Sequence, residues 1–138
     1  MLRYCLILMI FVLSFGSCTD TSSPRPVAEK FLEAMRDRDY KEAASYGTPE
    51  TEKLLRQLER IEALQSGEQR PEMGSVRIVA EEINGRTATI FFMEEGVPEE
   101  QKITLEKVKV SDDEGEKGEW KVALRKEELP LPAAPSIE

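Results

Sequence analysis

The sequence predicts an α+β domain in which helices pack on one face of a four-stranded antiparallel sheet. Three observations predict it. Apolar residues recur at helical spacing as far as residue 64, apolar runs of strand length follow from residue 75, and Asn84-Gly85 stands between the first two of those runs. Helices gathered at one end of a chain and strands at the other are the pattern of an α+β fold rather than of alternating βα units.

The first helix starts at Pro24. Ser23 can cap it, and Pro24 and Pro26 suit a first turn whose N–H groups have no intrahelical acceptor. Val27, Phe31, Ala34 and Met35 then fall on one face, with Ala28 and Leu32 beside them. Asp39, with Glu42 three residues on, resembles a capping box opening a short second helix, YKEAASY, which Gly47 ends. Thr48-Pro49 opens a third. Its stripe is Leu54, Leu55, Leu58, Ile61 and Leu64, Gly67 stops it, and Glu52 can pair with Arg56 at i,i+4.

The strand half begins with SVRIVAEEINGRTATIFFM, two apolar runs joined by Asn-Gly, a strong hairpin signal. A turn centred on Asn84-Gly85 pairs Ile83 with Arg86 and Ile78 with Phe91. It puts Val76, Ile78, Ala80, Thr89, Phe91 and Met93 on one face, and Val79, Ile83, Ala88, Ile90 and Phe92, with Arg77, on the other. The third strand is QKITLEKVKV and the fourth EWKVALRK, with SDDEGEKG as a charged loop between them. Along the fourth, Trp120, Val122 and Leu124 share a side.

The N-terminal stretch has a different character. From Tyr4 to Phe15 it is almost wholly apolar, but it is shorter than the roughly 20 residues a spanning helix needs. Arg3 precedes it and the small residues Gly16 and Ser17 follow, the order of an export signal. Of the two cysteines, Cys5 would leave with the signal, so the mature chain has only Cys18 and no internal disulfide. Phe15-Gly16-Ser17-Cys18 resembles the lipobox of bacterial lipoproteins. That resemblance implies that Cys18 becomes residue one, carries diacylglycerol on its sulfur and is acylated on its amine. Chains of this kind contribute about 0.8 kcal/mol per buried methylene, enough together for a stable anchor. The organisation expected is a signal peptide at 1–17, a flexible Ser/Thr/Pro tether at 18–23, the α+β domain at 24–127 and a proline-rich, disordered tail at 128–138.

Charge bounds the partners. The whole chain carries −8; residues 1–17 hold one basic residue and no acid, so their removal leaves 18 Lys and Arg against 27 Asp and Glu, or −9. An acidic domain with no basic stripe repels phosphate backbones, which argues against nucleic acid as a partner. The expected contact with membrane is through the lipid anchor.

Taken in order, VAEKFLEAMRDRDYKEAASYGTPE, INGRTATIFFM and GEWKVALRKE resemble the nuclear transport factor 2-like (cystatin-like) superfamily, and within it small bacterial lipoprotein domains of unknown function. The likeness spans about residues 24 to 127. It includes the acidic residue and short second helix after the first helix, here Asp37 to Tyr46, and a last strand opening Gly-x-Trp-Lys-Val, here Gly118 to Val122. The resemblance implies a strongly curved sheet wrapped round a long helix, a cone-like shape. It also implies that some relatives are enzymes with an Asp, His or Tyr at the mouth of the cone.

This chain has no histidine, which removes Ser-His-Asp, Cys-His and His–metal chemistry. A carboxylate or tyrosine base would have to come from Tyr40, Tyr46, Glu82 or Glu106. Glu82 falls at a hairpin tip, Glu106 alternates with Lys107 as a solvated strand does, and the tyrosines suit core edges with wet hydroxyls, so no catalytic residue is assigned. Asp112-Asp113-Glu114 with Glu116 lacks the alternating order of a calcium loop, and no metal or other cofactor is expected. Phe31, Met35, Tyr46, Phe91, Met93 and Trp120 are the candidate lining of a small-molecule pocket, with plain core as the competing assignment. Arg77, Val79, Ile90 and Phe92 form a second apolar sheet face that needs a cover, whether a dimer partner, another protein or the tail LPLPAAP folded back, and are the candidate interface. The function expected is therefore a non-catalytic binding module, anchored at the bacterial cell envelope on the periplasmic or surface side. It would hold a partner protein, a second copy or a small apolar ligand. The alternative is a small isomerase, dehydratase or hydrolase using a pocket carboxylate or tyrosine.

Overall fold

The computed structural model describes residues 21–64, 72–112 and 115–125. Cys18, the expected signal and tether up to Asp20, and the proline-rich tail lie outside the described residues, as do Asp113 and Glu114 of the acidic loop. Three helices precede the sheet: α1 (Pro24–Arg36), α2 (Tyr40–Ser45) and α3 (Pro49–Leu64). The strands β1 (Val76–Asn84), β2 (Thr87–Glu94), β3 (Gln101–Asp112) and β4 (Gly115–Val122) form one antiparallel sheet in the order β1-β2-β3-β4.

Helix α1 follows its predicted pattern: Val27, Ala28, Phe31, Leu32 and Ala34 are buried, and it packs against all four strands and α2. Ser23 occupies the cap position, yet its side chain makes no capping bond; the prolines in the first turn remove N–H groups that would need one. The helix is closed by Arg38 at φ 58°, with Asp39 N bonded back to Ala34 O at 2.9 Å. Asp39 then turns its carboxylate onto Glu42 N at 2.9 Å, capping α2 as its sequence predicts. In α3, Glu52 pairs with Arg56 as expected. Leu55 and Leu58 are buried, but Ile61 is 42% and Leu64 86% exposed, so the predicted apolar stripe runs on past the core.

The core lies between the helices and one sheet face. Ala88, Ile90, Phe92, Ile103, Leu105, Trp120 and Val122 supply the sheet side. This corrects the expected hairpin faces. The turn is centred on Gly85-Arg86, with Asn84 paired to Thr87 and Gly85 at φ 61°; a glycine with positive φ at the first central position is the requirement of a type II′ turn. A β-bulge at Val79, between Ile78↔Phe92 and Ala80↔Phe91, then shifts the register again. The bulge puts Val76 and Ile78 on the face of Ile90 and Phe92 rather than that of Phe91 and Met93. The helices cover this face, so Ile90 (0% exposed) and Phe92 (3%) are core, and Phe91 and Met93, half-buried, lie on the opposite face.

Gly118, expected to open the last strand, instead lies inside β4, opposite Lys109. A Cβ on Gly118 would meet the Lys107 stem at 2.6 to 3.1 Å. With no Cβ there, that stem can pass and the ammonium lies over the Trp120 ring, 5.8 Å from its centroid. The strand pair also reaches further than expected, to Asp112 and Gly115, and takes in residues assigned to the loop.

Candidate interaction site

The two edges of the sheet differ. Chain from the helical half covers β4: Trp120 N donates to Thr21 O, Val122 N to Tyr46 O, and Thr48 N to Val122 O, at 2.8 to 3.1 Å. Thr51 adds a buried tie, its hydroxyl donating to Val122 O at 2.8 Å and accepting from Leu124 N at 2.9 Å. The other edge, β1, has no neighbouring strand among the described residues.

The direction of the β1 backbone groups follows from the ladder. Glu95 N donates to Ser75 O, so that pair is hydrogen-bonded, and by the antiparallel alternation so is Arg77 with Met93. Beyond the bulge the phase resets. Lys107 N donates to Arg86 O, which turns Arg86, Ala88, Ile90 and Phe92 toward β3 and leaves Thr87, Thr89 and Phe91 to bond β1 at Asn84, Glu82 and Ala80. The N–H and C=O of Val76, Ile78, Glu81 and Ile83 therefore point away from the sheet. The same edge carries Val79 and Ile83, 41% and 55% exposed; the other exposed large hydrophobics among the described residues are Ile61 and Leu64 of α3. Arg77, Glu81 and Glu82 are exposed and make no ion pair among the described residues.

Between this edge and α1 lies a cleft of about 330 Å³. Leu32, Val76 and Ile78 give it an apolar lining; Arg25, Glu29, Glu33 and Arg36 line it from α1, and Arg77 from β1. Helical spacing puts the four α1 charges on one side, because positions 25, 29, 33 and 36 are successive turns of one face. Arg25 Nε pairs with Glu29 at 3.3 Å, Lys30 with Glu33 at 3.1 Å, and Arg36 Nε with Asp37 at 2.9 Å. The hydrogen-bonded Glu33 carboxylate holds the Lys30 ammonium above its ordinary pKa, and Asp37 does the same for the Arg36 guanidinium. These pairs are exposed and stabilise little.

The predicted pocket residues do not gather in this cleft. Phe31 and Trp120 are core, Met35 and Tyr46 pack at its margin, and Phe91 and Met93 are on the far side of the sheet, so the six share no cavity. Of the predicted interface residues, Arg77 and Val79 are on the open edge, while Ile90 and Phe92 are covered by the chain's own helices. Glu82 is exposed near the hairpin tip, and Glu106, also exposed, is paired in register with Lys121. Tyr40 is buried and Tyr46 half-buried. Glu94 is structural, accepting from Gly74 N at 3.0 Å and Gln101 Nε2 at 3.1 Å. Sequence reasoning missed Arg25, Glu29, Glu33 and Arg36, though their spacing beside Leu32 was a signal. It also missed Thr51, a polar residue on the buried side of α3.

No family model matches the chain, and no curated protein or solved structure is significantly similar to it.

Proposed function

We propose that this protein is an exported, lipid-anchored component of the bacterial cell envelope, whose domain is a non-catalytic interaction module that docks a partner protein along β1 and the adjoining cleft. The observation that carries the reading is the open β1 edge. It combines outward backbone groups, two exposed aliphatic side chains and opposite charges that make no ion pair among the described residues. Such an edge offers main-chain hydrogen bonds for affinity and side chains for specificity, the requirements of strand addition. The export order at the N-terminus and the Phe15-Gly16-Ser17-Cys18 stretch support the anchor. Three helices before an antiparallel meander are compatible with a nuclear transport factor 2-like domain, the finer fold we propose.

The test is complementation of a deletion strain with the full chain. Cys18→Ser should abolish incorporation of radiolabelled palmitate. Val79→Lys and Ile83→Lys, both exposed and compatible with folding, should fail to restore function, while Glu106→Gln and Tyr46→Phe restore it. Full restoration by both lysine variants, with loss in Glu106→Gln or Tyr46→Phe, would refute the interaction reading in favour of catalysis.

A further inference from the structure

We infer that the partner at this edge is a second copy of the chain, paired antiparallel through β1 about a two-fold axis between Val79 and Ala80. The inference rests on the interaction reading above and names its partner. It comes from matching β1 against itself. The outward residues are Val76, Ile78, Glu81 and Ile83, spaced two, three and two apart because of the bulge. Only one symmetric register pairs all four with one another: Val76 with the second copy's Ile83, and Ile78 with the second copy's Glu81. The two residues between Ile78 and Glu81 on each copy, Val79 and Ala80, then face each other, Val79 opposite Ala80, so that neither strand has an unmatched residue.

The side chains agree with that register. Val76, Ile78, Glu81 and Ile83 belong to the helix-bearing face, since their β2 partners Phe92, Ile90 and Ala88 are core and Glu94 shares their phase. Each proposed pair therefore keeps both members on one face, as antiparallel pairing demands. Exposed Ile83 gains the apolar Val76 opposite it. On the other face Arg77 stands opposite the second copy's Glu82, an attractive cross-strand pair that occurs twice by symmetry. The second copy's Glu81, opposite Ile78, lies on the side of the cleft, whose lining holds Arg25, Arg36 and Arg77 together with Glu29 and Glu33. Centring the axis on Glu81 would instead set two carboxylates against each other.

The test is sedimentation equilibrium of the full chain in mild detergent, with amide hydrogen exchange as the reading of register. The wild type should show a dimer mass, and Val76, Ile78, Glu81 and Ile83 should be the protected amides of β1 that lose protection on dilution. Arg77→Glu, which sets like charges opposite, should weaken the dimer by about tenfold. Arg77→Glu combined with Glu82→Arg should restore it, with unchanged circular dichroism throughout. A chain still monomeric at about 1 mM would overturn the inference. So would a dimer indifferent to Arg77→Glu, or one the double variant fails to rescue. A monomer whose Ile83→Lys variant still fails complementation would overturn the second copy and leave the interaction reading standing. A dimer whose β1 variants all complement would do the reverse.

Discussion

Thr51→Val should be among the most damaging conservative substitutions in the domain. Thr51 is 0% exposed, and its one hydroxyl hydrogen goes to Val122 O. Its oxygen accepts from Leu124 N and, since that hydrogen is committed, receives the Thr48 hydroxyl at 3.1 Å. Valine keeps the volume and removes all three interactions. Val122 O retains Thr48 N, but the Leu124 N–H is left buried without a partner. A lost bond contributes about 1 kcal/mol net and a stranded buried donor about 1–3 kcal/mol, so the loss should be roughly 3 kcal/mol. For a domain of this size that is a fall of about 15 °C in Tm. Thr51→Ser keeps the hydroxyl, gives up one methyl and should lose only about 1 kcal/mol. Urea unfolding followed by the fluorescence of the single tryptophan, Trp120, reads both variants. Thr51→Val within about 0.5 kcal/mol of wild type, or Thr51→Ser the worse of the two, would show that packing and not the hydroxyl joins α3 to β4.

Gly47→Ala should lose about 1–3 kcal/mol by urea unfolding, because the new Cβ would meet the short, β-branched Thr51 side chain at 2.7 and 2.9 Å. Phe92→Asp should abolish cooperative unfolding, since a carboxylate would be buried among Ile90, Ile103 and the helices. Phe91→Asp, on the opposite face, should leave a folded domain by circular dichroism.

The helices were legible because one face of each is apolar and the other charged, so a period of 3.6 residues has a single solution. Asp39 declared its cap by its spacing to Glu42. The hairpin was not legible in the same way. Its strands are apolar on both faces through Ile90-Phe91-Phe92-Met93, so alternation cannot choose between registers. The register is made by two local backbone events: the Gly85-Arg86 turn moves the pairing two residues from the Asn-Gly expectation, setting Ile83 against Ala88, and the Val79 bulge takes one back, setting Ile78 against Phe92. The bulge is why Val76 and Ile78 join the face of Ile90 and Phe92; Phe92 is core and Phe91 is on the far face because the helices cover that side of the sheet, a choice two apolar faces leave open. The cleft was invisible for another reason: it joins residues 25–36 to residues 76–78, and no local pattern announces which side of a helix will meet a strand edge.

The charges along β1 favour self-pairing over simple protection of an exposed edge. Natural edges are commonly defended by bulges and inward or lysine charges that make any added strand costly. The bulge at Val79 fits that defence against a regular strand, but it matches its own two-fold image. A purely defensive edge would place like charges where two copies meet; in the register we propose, Arg77 falls opposite the second copy's Glu82. The chain as a whole carries −8, so two copies repel at long range, and a local contact must offset that with opposite charges or buried apolar surface. The β1 edge offers both, in Arg77 with Glu82 and in Val79 with Ile83, while the β4 edge is already occupied by Thr21, Tyr46 and Thr48. Higher salt should therefore ease the general repulsion and weaken the Arg77–Glu82 pairs together. A dimer limited by net charge would tighten with added salt, whereas one held by those pairs would loosen, and the slope of the dimer constant against ionic strength separates the two.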